Sequence, residues 1–238
     1  MKKKEFNKSK CRLIVALDVP SLKLAHHIVK LLRPEVEYFK IGSELFTYSG
    51  PEAIQMVKIE GGRVFLDLKY LDIPRTVAQS CVAAASWGAD MITVHLAGGK
   101  EMLDWAITSI TAKNRKNTHI LGVSVLTSMV DKDLTDLGIN ESIESHVNRL
   151  VRLAKSCKLH GIVASGREAK LVRKIFPAGI IVIPGVRQNK KISDDQRRVV
   201  TVEDAKKAGA DFVVMGRPIL ESDSPRETAL KIIEKLNT

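Results

Sequence analysis

Short runs of apolar and β-branched residues recur along the chain, separated by longer stretches with a helical pattern. The runs have the length and composition of buried strands. They predict eight strands, at residues 13–17, 38–42, 64–68, 91–95, 119–125, 161–164, 180–183 and 212–215. Between them, apolar residues recur with the period of an amphipathic helix, for example at 20–32, 73–88 and 202–210. The chain is therefore expected to alternate strands and helices.

A weak internal repeat supports this alternation. The sequences WGADMITVH and AGADFVVMG both place Gly-Ala-Asp before an apolar strand. Gly88 and Gly209 are expected to end the preceding helices in the left-handed conformation that glycine adopts readily. Eight such units in 238 residues predict a single-domain α/β fold, a (β/α)8 TIM barrel over residues 11–238 preceded by a basic N-terminal tail at 1–10. A doubly wound open sheet is the alternative fold.

Composition places the chain among ordinary globular proteins, with 45% apolar and 27% charged residues. The apolar runs are far shorter than the roughly 20 residues of a membrane helix, so no membrane association is expected. The basic tail lacks the apolar segment of a secretory signal. Cys11, Cys81 and Cys157 form neither a metal-ligand spacing nor an even disulfide framework, which favours reduced thiols and a cytoplasmic location.

The net charge of +11 raises the question of a polyanionic partner. Lys and Arg are spread along the chain, with local clusters only at 2–4, 190–191 and 197–198. Dispersed positive charge more often forms a solvated surface or attracts small anions. We therefore expect no nucleic-acid partner, and keep a non-enzymatic binder of nucleotides or nucleic acid as an alternative.

Charged residues of alternating sign end the first three predicted strands. Asp18 ends the first strand, Lys40 lies in the second, and Asp67 and Lys69 end the third within FLDLKYLD. Because side chains alternate along a strand, Asp67 and Lys69 are expected to point the same way. Working residues of these barrels lie at the C-terminal ends of the strands. Together with Asp72 in the following loop, which could instead reach a neighbouring subunit, these residues predict one charged cluster.

Such a cluster has two interpretations. Any single pair could be a salt bridge that closes the end of the barrel, but five such groups together are poorly explained in that way. Lysines and carboxylates that share a cleft shift one another's pKa values, and such groups concentrate at functional sites. A lysine held between carboxylates stays protonated, as a general acid must.

The last two predicted strands end in sequences typical of phosphate sites. IPGVRQ and VMGRP supply Arg187, Gly216 and Arg217. Loops after the seventh and eighth strands of such barrels often bind phosphate through backbone N–H groups and arginine. The polar segment 187–200 is long for a connection between strand and helix, and is either a mobile lid that brings Gln196 to a ligand or a solvated surface loop.

Other polar residues follow the fourth and fifth predicted strands. Thr127 and Ser128 could hydrogen bond to a polar ring or carbonyl, or could cap a turn. His95 ends the fourth strand, where a lone histidine is more often a packed, hydrogen-bonded side chain than a substrate contact.

Taken together, these motifs resemble the bacterial-type orotidine 5′-phosphate decarboxylase family, from VALD at 15–18 to GRPI at 216–219. The most specific element is Asp-x-Lys-x-x-Asp at 67–72, followed by DIP and TVA. That motif also occurs in sugar-phosphate decarboxylases and hexulose-phosphate synthases, which use Mg²⁺. VLTSM, PGVR, SDDQRR and GRPI, in this order, match the pyrimidine decarboxylase. The chain departs from the family at Tyr70, Leu71, Arg75 and Gln188.

The resemblance implies conversion of orotidine 5′-phosphate to UMP and CO2 without a cofactor or metal ion. Lys69 would protonate C6 of the pyrimidine, and Asp67 would lie against the substrate carboxylate. Asp72 would come from the partner subunit of a homodimer and complete a charged array that includes Lys40.

The resemblance also implies how the rest of the substrate would be held. Asp18 and Lys40 would bind the ribose hydroxyls, and Thr127 the pyrimidine. Gln196 would bridge base and phosphate from the lid. The 5′-phosphate would be held by Arg187, Gly216 and Arg217.

Overall fold

A computed structural model describes residues 11–113, 117–187 and 200–238. Its strands are β1 (Arg12–Ala16), β2 (Tyr38–Gly42), β3 (Arg63–Tyr70), β4 (Met91–His95), β5 (His119–Val123), β6 (Gly161–Val163), β7 (Ile180–Ile183), β8 (Val186–Arg187), β9 (Val200–Thr201) and β10 (Phe212–Met215). Eight of them, β1 to β7 and β10, form a closed parallel barrel, because β1 pairs with both β2 and β10. The predicted (β/α)8 barrel is confirmed, and the open sheet is excluded. The predicted basic tail, residues 1–10, lies outside the described residues.

Helices connect the strands on the outside of the barrel. They are α1 (Leu22–Leu32), α2 (Ser43–Ser49), α3 (Glu52–Ile59), α4 (Pro74–Trp87), α5 (Gly99–Ala112), α6 (Asp131–Asp136), α7 (Ile143–Ser156), α8 (Ala169–Ile175), α9 (Val202–Lys207), α10 (Arg217–Leu220) and α11 (Pro225–Asn237), with a 3₁₀ turn at Leu96–Gly98. Local signals start them: the Ser21 hydroxyl accepts the Leu24 N–H at 3.2 Å, and Pro74 begins α4. Within the described residues, none of these helices is long and apolar enough to cross a membrane.

The strands separate two apolar layers, because alternate side chains face opposite sides of the barrel wall. The inner layer consists of Ile14, Ala16, Tyr38, Phe65, Met91, Leu121, Val123, Val163, Ile180, Val182, Phe212 and Val214. The residues between them, such as Val15 and Phe39, pack against the helices. The next inward-facing side chain after Ala16, Tyr38 or Phe65, two residues further along each strand, is charged. These charged side chains lie at the C-terminal end of the barrel.

The Gly-Ala-Asp repeat has the same structural role at both places. Gly88 and Gly209 follow α4 and α9 with φ of +102° and +90°, as predicted. Asp90 and Asp211 each accept a hydrogen bond from a backbone N–H of the neighbouring barrel strand, at 2.8 and 2.7 Å. Each carboxylate also accepts from a Lys or Arg of the helix before that strand, at 2.9 and 2.7 Å. The repeat therefore fastens a helix to the N-terminal end of the barrel, away from the charged end.

Candidate active site

A cleft of about 790 Å³ opens at the C-terminal ends of the barrel strands. Eight of the predicted site residues line it: Asp18, Lys40, Asp67, Lys69, Thr127, Arg187, Gly216 and Arg217. Glu44, in the first turn of α2, and Glu221, directly after α10, also line the cleft and were not predicted. No sequence signal marked them, because Glu44 lies in a helix and Glu221 directly follows one, rather than ending a predicted strand. The barrel thus gathers charges of both signs around one cavity.

Two ion pairs occupy the side of the cleft formed by β1, β2 and β3. Lys40 Nζ donates to Asp18 Oδ1 at 2.7 Å, and Lys69 Nζ donates to Asp67 Oδ2 at 2.9 Å. The Asp67 side chain is 11% exposed, whereas that of Lys69 is 37% exposed. Lys69 is therefore an ammonium group held by a nearly buried carboxylate while it still faces the cavity.

Glycine leaves room for the first of these pairs. Gly42 ends β2, and a Cβ atom at this position would lie 2.8 Å from Lys40 Nζ and 3.0 Å from Asp18 Oδ1. The first distance is too short for atoms that are not bonded, and the second is tight. A larger residue at position 42 would therefore require the end of the Lys40 side chain to shift.

The backbone of Lys69 departs from regular strand geometry. Its φ is +52°, in the left-handed region that residues other than glycine rarely adopt. Its N–H donates to Thr93 Oγ1 at 2.8 Å, and Thr93 in turn donates to Asp67 Oδ1 at 3.1 Å. Asp67 and Lys69 thus meet as predicted, but through an irregular strand rather than through simple alternation. Thr93 was missed, although it lies two residues beyond the inward-facing Met91.

Asp72 does not join this cluster within its own chain. Its side chain is exposed, it does not line the cleft, and its Oδ1 accepts the N–H of Ile73 at 2.6 Å. Leu71 and Ile73, on either side of it, are 56% and 67% exposed. The loop between β3 and α4 therefore presents a carboxylate between two apolar side chains at the surface.

The strand ends that follow β7 and β10 carry the predicted phosphate residues, and β10 is the neighbour of β1 in the barrel. Arg187 lies in β8, which pairs with β9 in register Arg187 to Thr201. This pairing joins the two ends of the segment that was predicted as a lid or loop. Arg217 begins α10 directly after Gly216. Gln188 and Gln196 lie outside the described residues.

Of the three remaining polar candidates, one lines the cleft and two do not. Thr127 lines the cleft, whereas Ser128 is exposed outside it. His95 does not line the cleft, and its Nδ1 accepts the N–H of Ala97 at 3.2 Å. The pKa of His95 is lowered, mainly by burial and to a smaller extent by the positive charge of Lys69. The described residues contain no group of three or more His, Cys, Asp or Glu side chains that could hold a metal ion.

Fold and site together define a (β/α)8-barrel protein with a charged cleft at the C-terminal ends of its strands. The sequence matches the family model "Orotidine 5'-phosphate decarboxylase / HUMPS family" over residues 11–232. The chain belongs to this family.

Individual relatives cover almost the whole chain. It is 43% identical over 234 residues to an orotidine 5′-phosphate decarboxylase of Moorella thermoacetica, covering 96% of this chain and 93% of the relative. It is 41% identical over 230 residues to the corresponding protein of Syntrophotalea carbinolica, covering 94% of each. A crystal structure of orotidine 5′-phosphate decarboxylase from Lactobacillus acidophilus is similar with a TM-score of 0.85 at 29% identity, covering 96% of this chain and all of the other.

Proposed function

We propose that the protein is an orotidine 5′-phosphate decarboxylase that forms UMP and CO2 in de novo pyrimidine biosynthesis, acts in the cytoplasm and needs no cofactor. The observation that carries this proposal is the ion pair between Lys69 and Asp67, which faces a cleft of about 790 Å³ in a member of the family. The cytoplasmic location is supported by the cysteines of the described residues, which are all free and buried. The whole of residues 11–238 would form the one catalytic domain.

Decarboxylation of the substrate requires a positive charge beside C6 of the pyrimidine. When the bond between C6 and the carboxylate breaks, CO2 leaves and the electron pair stays in an sp² orbital that the ring cannot delocalise. The ammonium of Lys69 would stabilise that pair and then donate a proton to form the C6–H bond. Neutral Lys69 would then take a proton from water.

Asp67 would act on the substrate carboxylate. A nearly buried carboxylate beside a second one disfavours the bound ground state, and this repulsion is relieved when CO2 leaves. Asp67 also orients Lys69 through the 2.9 Å hydrogen bond. Its proposed role is therefore both electrostatic and positional.

The rest of the cleft would bind the nucleotide. Asp18 and Lys40, already paired at 2.7 Å, would hold the ribose hydroxyls. Thr127 would contact the pyrimidine, and Arg187 with Gly216 and Arg217 would hold the phosphate. Gln196, from the segment between β8 and β9, would bridge base and phosphate.

We further propose a homodimer in which Asp72 serves the partner's cleft. Asp72 is exposed and does not line the cleft of its own chain, which leaves its side chain available to a second subunit. The neighbouring Leu71 and Ile73 would supply apolar contact area at the interface. Tyr70, by contrast, packs against the core, and burial raises its pKa to about 12.

Absorbance-monitored turnover of orotidine 5′-phosphate by the purified protein tests the proposal. We expect substrate to disappear at an undiminished rate in EDTA, because no step calls for a metal ion. A folded protein that leaves this substrate intact, yet turns over a sugar phosphate only when Mg²⁺ is present, would instead show the activity of the sugar-phosphate branch of the family.

A further inference from the structure

Strands β3 and β4 fall out of register at the active-site end of the barrel. Leu66 pairs with Ile92, and the next pair along the strands is Tyr70 with Val94. Three residues of β3 therefore face Thr93 alone. Extra residues in a bulge lose their ladder partners, so their backbone groups need other hydrogen bonds.

The Thr93 hydroxyl supplies one of these bonds and links it to the ion pair. A hydroxyl has one proton to donate and lone pairs to accept with. Here it accepts the Lys69 N–H at 2.8 Å and donates to Asp67 Oδ1 at 3.1 Å, while Asp67 Oδ2 accepts from Lys69 Nζ at 2.9 Å. The chain of bonds runs from the backbone of Lys69 through Thr93 and Asp67 back to the side chain of Lys69. Thr93 is fully buried, so water does not compete for the two bonds of its hydroxyl.

We propose that Thr93 is a positioning residue that sets the ammonium of Lys69 for proton transfer. A left-handed residue other than glycine persists only where its surroundings hold it, and such residues cluster at active sites. The bond from the Lys69 N–H to Thr93 is the contact that holds this conformation. Without it, the backbone at Lys69 relaxes toward the regular strand, and the ammonium moves away from the reacting carbon. The inference rests on the proposed function for its catalytic part and on geometry for its structural part.

Three variants separate positioning from packing. Thr93→Val keeps the shape of the side chain and removes the hydroxyl, and Thr93→Ser restores the hydroxyl. Thr118→Val is the matched control, because the buried Thr118 hydroxyl bonds to the Ala89 carbonyl at 2.9 Å and does not line the cleft. Each variant is assayed for kcat and KM with orotidine 5′-phosphate and for melting temperature.

We expect Thr93→Val to lower kcat about 100-fold, the effect of a reacting group displaced by about 1 Å, with KM changed by less than about threefold. Thr93→Ser should recover most of kcat. Thr118→Val should lower the melting temperature without lowering kcat. A Thr93→Val enzyme with wild-type kcat, or a Thr93→Ser enzyme as impaired as Thr93→Val, would overturn the inference.

Crystal structures of the two Thr93 variants give a readout that does not depend on turnover. In Thr93→Val we expect residue 69 to lose its positive φ and Lys69 Nζ to move from Asp67, whereas Thr93→Ser should keep both features. Unchanged geometry in Thr93→Val would overturn the inference even if the wild type decarboxylates the substrate. A wild-type protein with no activity would refute the proposed function, and these structures would still decide the positioning role.

Discussion

Replacing Arg217 with alanine tests whether the phosphate end of the cleft contributes to catalysis at the distant pyrimidine. Arg217 and Arg187 are the two arginines that line the cleft within the described residues. Both would contact the 5′-phosphate through charge-assisted hydrogen bonds. Arg217→Ala therefore removes one of the two arginines and leaves the residues around Lys69 unchanged. The effect should therefore depend on whether the substrate carries a phosphate.

The size of the loss follows from the exposure of Arg217 and the strength of such contacts. A hydrogen bond to a charged group contributes about 1.5–3 kcal/mol, and about 1.4 kcal/mol corresponds to a factor of ten. Arg217 is exposed in the open cleft, so water screens part of its charge. We expect kcat/KM for orotidine 5′-phosphate to fall about 10- to 100-fold. If phosphate binding also orders the cleft, part of this loss will appear in kcat.

The assay compares kcat/KM of wild type and Arg217→Ala on orotidine 5′-phosphate and on orotidine, which lacks the phosphate. Turnover of orotidine should be almost unchanged by the substitution. Arg226→Ala is the matched control, since this exposed arginine on α11 is paired with Glu35 and does not line the cleft. Equal losses on both substrates for Arg217→Ala would refute the assignment of Arg217 to the phosphate.

Three further predictions concern stability, the ribose end and the subunit interface. Burial, together with the neighbouring His160 ring at 5.1 Å, lowers the pKa of His119 from 6.5 to about 4. Between pH 6.5 and 4 the unfolded chain therefore binds more protons at His119 than the folded chain does. The free energy of unfolding should fall by up to about 3 kcal/mol as the pH is lowered through this range. Urea titrations should show a smaller fall in His119→Phe. Gly42→Ala should raise KM about tenfold by displacing Lys40, whereas an unchanged KM would show that the lysine adapts. Asp72→Asn should be inactive alone, but each dimer that it forms with Lys69→Ala should regain one of its two sites, so that about a quarter of all sites return in an equimolar mixture after subunit exchange, as measured by turnover. No recovery in verified mixed dimers would contradict a shared site.

Much of the fold could be predicted because each barrel strand is a short buried run with clear ends. The predicted strands at 38–42, 91–95, 180–183 and 212–215 coincide with β2, β4, β7 and β10. Inward-facing polar residues in the second half of such runs, or directly after them, fall at the same end of a parallel barrel. Asp18 and Lys40 could therefore be placed in one site from their positions alone.

The rest of the site depends on contacts between segments that are distant in sequence. The left-handed backbone of Lys69 lies where β3 and β4 fall out of register, and no property of either segment shows this irregularity. Strand alternation could have placed Thr93 inside the barrel, but not its bonds to Asp67 and Lys69. The pairing of β8 with β9 is also invisible in sequence, because each strand has only two residues.

The central claim is that Lys69 delivers the proton to C6, and single-turnover decarboxylation of orotidine 5′-phosphate by Lys69→Ala tests it most directly. Calorimetric binding of UMP to the same variant checks that the cleft is intact. We predict that UMP still binds and that the single-turnover rate falls by a factor of about 10³ or more, near the upper end of what a positioned proton donor contributes. A variant that binds UMP and decarboxylates within about tenfold of the wild-type rate would contradict the claim and assign the proton to another donor.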